Sequence, residues 1–205
     1  MAQFVQQDHH PAESAGVVGD AQWALYETVL DGAMEAHVPF ALGGAFGLAT
    51  YTGCARNTKD LDLYVLPEHC SRAIEVLTRL GLADYFEQTP YDREWIYRGT
   101  TGGMIIDIIW AMANHRAQVD GWWMSGPSIP LRGRTVKVLP AEAMLWDKLY
   151  ILQRERCDWP DVLNLLYYQG DKLDWKKLLE VFSADRHYLT YSRDLLRRVW
   201  DETVV

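Results

Sequence analysis

The sequence predicts an α+β fold: a short mixed sheet with helices packed on it, followed by a C-terminal helical subdomain. Three observations predict it. Between Phe40 and Trp110, short apolar runs alternate with Gly and Pro signals, and one of them, Asp60–Leu66 (DLDLYVL), has period two. A helical run, Ala73–Leu80, separates these strand-like runs. From Ala141 onward the apolar residues recur only at helical spacing. The division expected is a loose leader over 1–19, an α+β domain over 20–140 and a helical subdomain over 141–205.

The elements follow in order. Asp20 caps a helix in which Trp23, Leu25, Tyr26, Val29, Leu30, Ala33 and Met34 share a face, with Pro39 as its stop. PFALGG reads as a buried strand entering a Gly turn, and AFGLATYTG as a helix closed by Gly53. CARNTK is a polar connector, and DLDLYVL the second strand. A helix starts at Pro67-Glu68 and turns Ala73, Ile74, Val76, Leu77 and Leu80 inward before Gly81. DYFEQT, REWIYRG and MIIDIIW read as strands, separated by TPYD and GTTGG. RTVKVL is one more strand, before Pro140. AEAMLWDKLYILQRER, PDVLNLLYYQG, WKKLLEVFSA and TYSRDLLRRVW are the final helices.

Composition narrows the function. A chain 49% hydrophobic and 23% charged has the balance of a folded globular protein, and no apolar run reaches the roughly 20 residues that span a bilayer. The net charge of −8 excludes a general polyanion binder, since phosphate backbones are met by clustered Lys and Arg. Cys54, Cys70 and Cys157 have no metal-binding spacing and fit a reducing compartment. The first twenty residues lack a basic start followed by an apolar run, so the cytoplasm is the expected location, with no membrane partner.

Three carboxylates carry the chemistry. Asp60 and Asp62 stand at i and i+2 of a strand and share a face, roughly 7 Å apart along the backbone. Leu61, Leu63 and Val65 face the core. Two carboxylates aimed together repel unless cations or solvent lie between them. On spacing alone, a solvated acidic face explains the pair as well as a metal does. Asp107 tips the comparison, because it sits within Met104–Trp110, a strand apolar on both sides, where an uncompensated charge is costly. A metal would compensate it, as would protonation or an ion pair with Arg56, Arg98 or Arg116. Gly43-Gly44, between a strand and a helix, places backbone N–H groups at a helix N-terminus, which suits a phosphate; a tight turn explains the same pair. Trp122-Trp123 reads as a plug beneath a loop, with base stacking as the alternative.

Strand, Gly pair, helix, Asp-x-Asp strand and a third acid on a later strand form an order that resembles the nucleotidyltransferase superfamily with the DNA polymerase β-like fold. Leu42-Gly43-Gly44, Asp60-Leu61-Asp62-Leu63 and Asp107 carry the resemblance. Arg56–Leu63 (RNTKDLDL) looks most like the AbiEii-type branch, which includes toxins of toxin–antitoxin systems, and the stretch from Lys148 to Asp158 and Asp161 resembles that branch's helical segment.

The resemblance implies a metal-dependent nucleotidyltransferase that moves a nucleoside monophosphate from an NTP such as ATP to an acceptor hydroxyl. Asp60, Asp62 and Asp107 would hold two Mg²⁺ ions, with Mn²⁺ as a substitute. Gly43, Gly44, Arg56, Thr58, Lys59 and Lys148 would serve the nucleotide, although Lys148 also fits a lysine snorkelling from an apolar helix face. The acceptor would be RNA (tRNA included), a protein or a small molecule, with an antitoxin partner if the chain is AbiEii-like. A non-catalytic nucleotide-binding module and a glycosyltransferase using its DxD motif are the rival readings.

Overall fold

The computed structural model describes residues 18–151 and 158–182. The chain forms two units, Met1–Pro140 and Ala141–Val205. The first holds helix α1 (Asp20–Glu35), strand β1 (Phe40–Leu42), α2 (Gly44–Thr52), β2 (Asp60–Val65) and α3 (Cys70–Arg79). It continues with β3 (Ala83–Asp84), β4 (Ile96–Thr101), β5 (Met104–Ile109), β6 (Ser128–Leu131) and β7 (Arg134–Val138). The second holds α4 (Ala141–Ile151), α5 (Trp159–Gln169) and α6 (Trp175–Phe182).

The seven strands form one mixed sheet in the order β3-β4-β5-β2-β1-β7-β6. The two strands that carry the three acids are neighbours at its middle. β2 runs parallel to β5 with Asp62 opposite Asp107, and β1 runs antiparallel to β2. β4 and β5 form a hairpin with Thr101 opposite Met104. Its turn is Gly102-Gly103, with φ of 57° and 78°. Two positive φ values suit a two-residue turn whose twist matches the strands, and glycine takes them without strain.

One face of the sheet is apolar. Leu61, Leu63 and Val65 are fully buried, as are Ile106 and Ile108 on β5. α3 covers this face: Leu77 and Leu82 pack so closely on Gly99 that a Cβ there would crowd them. α1 joins it through Val29, Leu30 and Ala33. Trp23 and Tyr26 of α1 meet Phe46 of α2 edge to face, with centroids 5.5 and 5.7 Å apart, which fixes α2 against α1.

Four local expectations need correction. DYFEQT is no strand: β3 ends at Asp84, whose carboxylate accepts from the Phe86 N–H at 2.9 Å and starts a 3-10 turn over Tyr85–Glu87. Leu80 is 38% exposed rather than inward, because α3 ends at Arg79 and the chain turns through Gly81. The helix read from Pro67 begins as a 3-10 turn, Pro67–His69, and becomes α-helical at Cys70. β6 has no counterpart in the sequence reading; it is a short edge strand containing Pro130, a residue that removes a ladder donor. The fourth C-terminal helix of that reading, TYSRDLLRRVW, lies outside the described residues, as do residues 1–17 of the leader.

Candidate functional site

Asp60, Asp62 and Asp107 each bring a carboxylate oxygen into one cluster, all within 4.8 Å of one another. The cause is register. Asp60 and Asp62 leave the same face of β2, opposite the buried leucines, and Asp107 is the cross-strand partner of Asp62. Asp107 is 1% exposed, while Asp60 and Asp62 are half-buried. Oxygen-only ligands at this separation suit a hard divalent ion such as Mg²⁺ or Mn²⁺. A second acidic group, Asp92, Glu94 and His115, is exposed at all three positions. There His115 Nε2 meets Asp92 at 2.8 Å and Nδ1 meets Glu94 at 3.6 Å, an ordinary arrangement for a solvated surface.

The Gly pair is built around the same carboxylates. Gly44 has φ of +50°, and a Cβ there would overlap the Asp62 carboxylate. The N-terminus of α2 therefore abuts Asp62, and its first-turn N–H groups and partial positive charge are available to an anion beside it. The Gly43 N–H is already committed, donating to the Asp62 carbonyl at 3.1 Å. A Cβ on Gly43 would run into the Tyr64 ring. Tyr64 follows Asp62 on the same face and stacks on Trp123, with centroids 5.7 Å apart. Trp123 is 1% exposed, so this member of the Trp pair is the plug that closes the sheet face beyond the acids.

Asp60 is held from behind. The Thr58 hydroxyl donates to its carboxylate, and Thr58 itself is buried. Gln22 of α1 donates to the Thr58 carbonyl at 2.6 Å and to the Tyr26 hydroxyl at 2.6 Å. Burial pushes the Tyr26 phenol up to about 12, and the negative charge of Asp60, Asp62 and Asp107 adds to this. Asp107 has a cation beside it: Arg98 Nη2 donates to Asp107 Oδ2 at 3.0 Å. Of the three arginines the sequence offers Asp107, the hairpin selects this one.

The other cations singled out in the sequence differ in their surroundings. Arg56 and Lys59 are exposed in the connector before β2. Lys148, in the second unit, is buried and its ammonium meets Asp161 Oδ2 at 2.7 Å and Asp158 Oδ2 at 3.3 Å. Gln22 was missing from the sequence reading, and Arg98 entered it only as one of three candidate ion-pair partners of Asp107. No periodic signal marks Gln22. Arg98 was legible from the turn, since it stands three residues before Thr101 as Asp107 stands three after Met104.

The family model described as "Uncharacterised nucleotidyltransferase" matches residues 39–187. The chain belongs to this family. No curated protein is significantly similar to it in sequence. Among solved structures, the antibiotic-resistance factor ANT(2'')-Ia superposes with a TM-score of 0.60 at 19% identity, over 88% of this chain and 100% of that one. The same factor in complex with adenylyl-2''-tobramycin gives a TM-score of 0.60 at 18% identity, over 82% and 98%. An antigenic nucleotidyltransferase-like protein from Paracoccidioides brasiliensis gives 0.54 at 19% identity, over 92% and 93%. At these identities the likeness is one of fold, and the fold is that of nucleotidyltransferases. Among the described residues, no helix is long and apolar enough to cross a membrane.

Proposed function

We propose that this chain transfers a nucleoside monophosphate from an NTP, ATP first among them, to a hydroxyl of a small-molecule acceptor. The observation that carries the reading is the cluster of Asp60, Asp62 and Asp107 beside the Gly44 end of α2. Family membership supports the transfer class.

Each residue has a task in this reaction. Asp60 and Asp62 would hold the divalent ion that accompanies the triphosphate, and Asp107 would help hold a second on the acceptor side. Bound there, Mg²⁺ or Mn²⁺ supplies charge neutralisation for the phosphoryl oxygens. The first-turn N–H groups of α2 offer donors to a phosphate oxygen next to Asp62. Thr58 and Gln22 fix the Asp60 carboxylate, so its position is set before substrate arrives. Arg56 and Lys59, ahead of Asp60, are cations suited to the triphosphate. Lys148 joins them on the family pattern, alongside its pairing with Asp161 and Asp158.

A small acceptor is favoured over RNA by charge. A chain of net charge −8 repels a polyanion at long range, and a neutral or cationic acceptor meets no such barrier. The adenylyl-tobramycin complex of a protein with this fold is consistent with that choice. An AbiEii-like toxin acting on tRNA, with an antitoxin partner, is the contrasting outcome.

The test is incubation with each α-labelled NTP and Mg²⁺, followed by mass spectrometry of small molecules, RNA and protein from cells expressing the chain. A nucleotidyl mass added to a small molecule supports the reading. Addition to tRNA instead would replace the acceptor, and no label transfer from any NTP would remove the activity.

A further inference from the structure

Asp62, Asp107 and Arg98 are successive register partners across β2, β5 and β4, so their side chains form a row on one face of the sheet. The row ends on a cation. Arg98 reaches Asp107 at 3.0 Å, and its side chain is 28% exposed against 2% for that of Asp107. Its guanidinium lies 5.9 Å from the centre of the Tyr91 ring, and its backbone N–H donates to the Tyr91 hydroxyl at 2.8 Å. Arg98 Nε is buried and has no hydrogen-bond partner among the described residues, so the guanidinium is anchored on one side only.

We propose that Arg98 is a positioning residue of the metal site: the built-in counter-ion of the three carboxylates, which fixes Asp107 and competes with a divalent ion that arrives without nucleotide. The proposal rests on the metal reading above. Three carboxylates within 4.8 Å repel one another, and the fixed positive charge of Arg98 offsets part of that repulsion in the metal-free protein. The same charge opposes a bare divalent ion entering the cluster. A triphosphate brings enough negative charge to offset that opposition. The site thus takes up metal together with nucleotide in preference to metal alone. An arginine suits the task, because it stays charged when partly buried and its planar fork matches a carboxylate.

The test is Mn²⁺ binding to the full chain, followed by the loss of the free-ion paramagnetic resonance signal, with and without a non-hydrolysable ATP analogue. Arg98→Met removes the charge and keeps much of the bulk, whereas Arg98→Lys keeps the charge. Arg98→Met is expected to bind bare Mn²⁺ about tenfold tighter than the native chain, as a like charge a few ångströms away is removed. Arg98→Lys should stay within about threefold of native. The metal-free melting temperature of Arg98→Met should fall, and Mn²⁺ should restore it. Equal bare-ion affinity in the native chain and Arg98→Met overturns the proposal. If Arg98→Met is unfolded without metal, refolding on adding Mn²⁺ supports it and failure to refold overturns it. Asp62→Asn separates the two levels. If the native chain binds no Mn²⁺ even with nucleotide, the metal reading itself fails. If binding depends on Asp62 but not on Arg98, only the role of Arg98 falls.

Discussion

The Asp62 carboxylate occupies the space into which a Cβ on Gly44 would project. Gly44 is also in the left-handed region, at φ +50°. Gly44→Ala should therefore strain the backbone by roughly 1–3 kcal/mol and push Asp62 out of the cluster. Gly53, at φ 67° in the C-cap of the same helix, is the control, since alanine there strains the backbone at the opposite end of α2. Thermal melts should show a loss for both variants. Metal–nucleotide binding by calorimetry should fail only for Gly44→Ala, and equal binding by the two would detach Gly44 from the site.

Asp62→Asn and Asp107→Asn should fail differently. Asp62 lies against the α2 N-terminus and shares the cluster with Asp60, so Asp62→Asn should lose both nucleotide binding and transfer. Asp107→Asn should lose transfer and keep most nucleotide binding. Its stability should change little: Arg98 loses a partner but is exposed enough to take up water, and repulsion among the carboxylates is relieved. Nucleotide titration and chemical unfolding of both variants check this. A large stability loss in Asp107→Asn would make the pair with Arg98 structural first.

These side chains were legible in the sequence to different depths. The Asp60–Leu63 alternation and the apolar surroundings of Asp107 are local patterns, and strand register turned them directly into a cluster. The Gly53 stop of α2 depends on nearby residues and was readable in the same way, whereas Asp20, expected as the cap of α1, is its first helical residue and Gly19 is the cap. The contact of Gly44 with Asp62 depends on where α2 lands on β2, and the bond from Gln22 to Thr58 joins residues far apart in sequence. No periodicity encodes such contacts. DYFEQT misleads because its aromatic residues resemble a strand while Asp84 caps a turn. Arg98 is the intermediate case: pairing outward from Gly102-Gly103 would have put it opposite Asp107.

Thr58 tests whether the support behind Asp60 matters. Thr58→Val keeps the shape of a buried side chain and removes the hydroxyl that donates to Asp60. A bond to a charged group contributes about 1.5–3 kcal/mol, so metal–nucleotide affinity should fall at least tenfold, with a small change in melting temperature. Thr58→Ser should restore it. Bare Mn²⁺ affinity distinguishes the alternatives. A fall there places the effect on Asp60, whereas an effect seen only with nucleotide would make Thr58 a nucleotide contact.

Lys148 offers the last prediction. Its ammonium is buried with Asp161 and Asp158 in the helical unit, and Asp161 is 8% exposed. Lys148→Met keeps the apolar stem and removes the ammonium that meets Asp161 at 2.7 Å. Breaking one half of such a buried pair costs about 3–5 kcal/mol, so the urea midpoint should drop markedly. Adding Asp161→Asn to Lys148→Met should recover part of the loss, because a neutral amide is cheaper to bury than a carboxylate. Nucleotide titration on the folded double variant then isolates any contact between Lys148 and the triphosphate. Native-like affinity there would assign Lys148 to the fold of the helical unit alone. Unchanged stability in Lys148→Met with weakened nucleotide binding would assign it to the triphosphate.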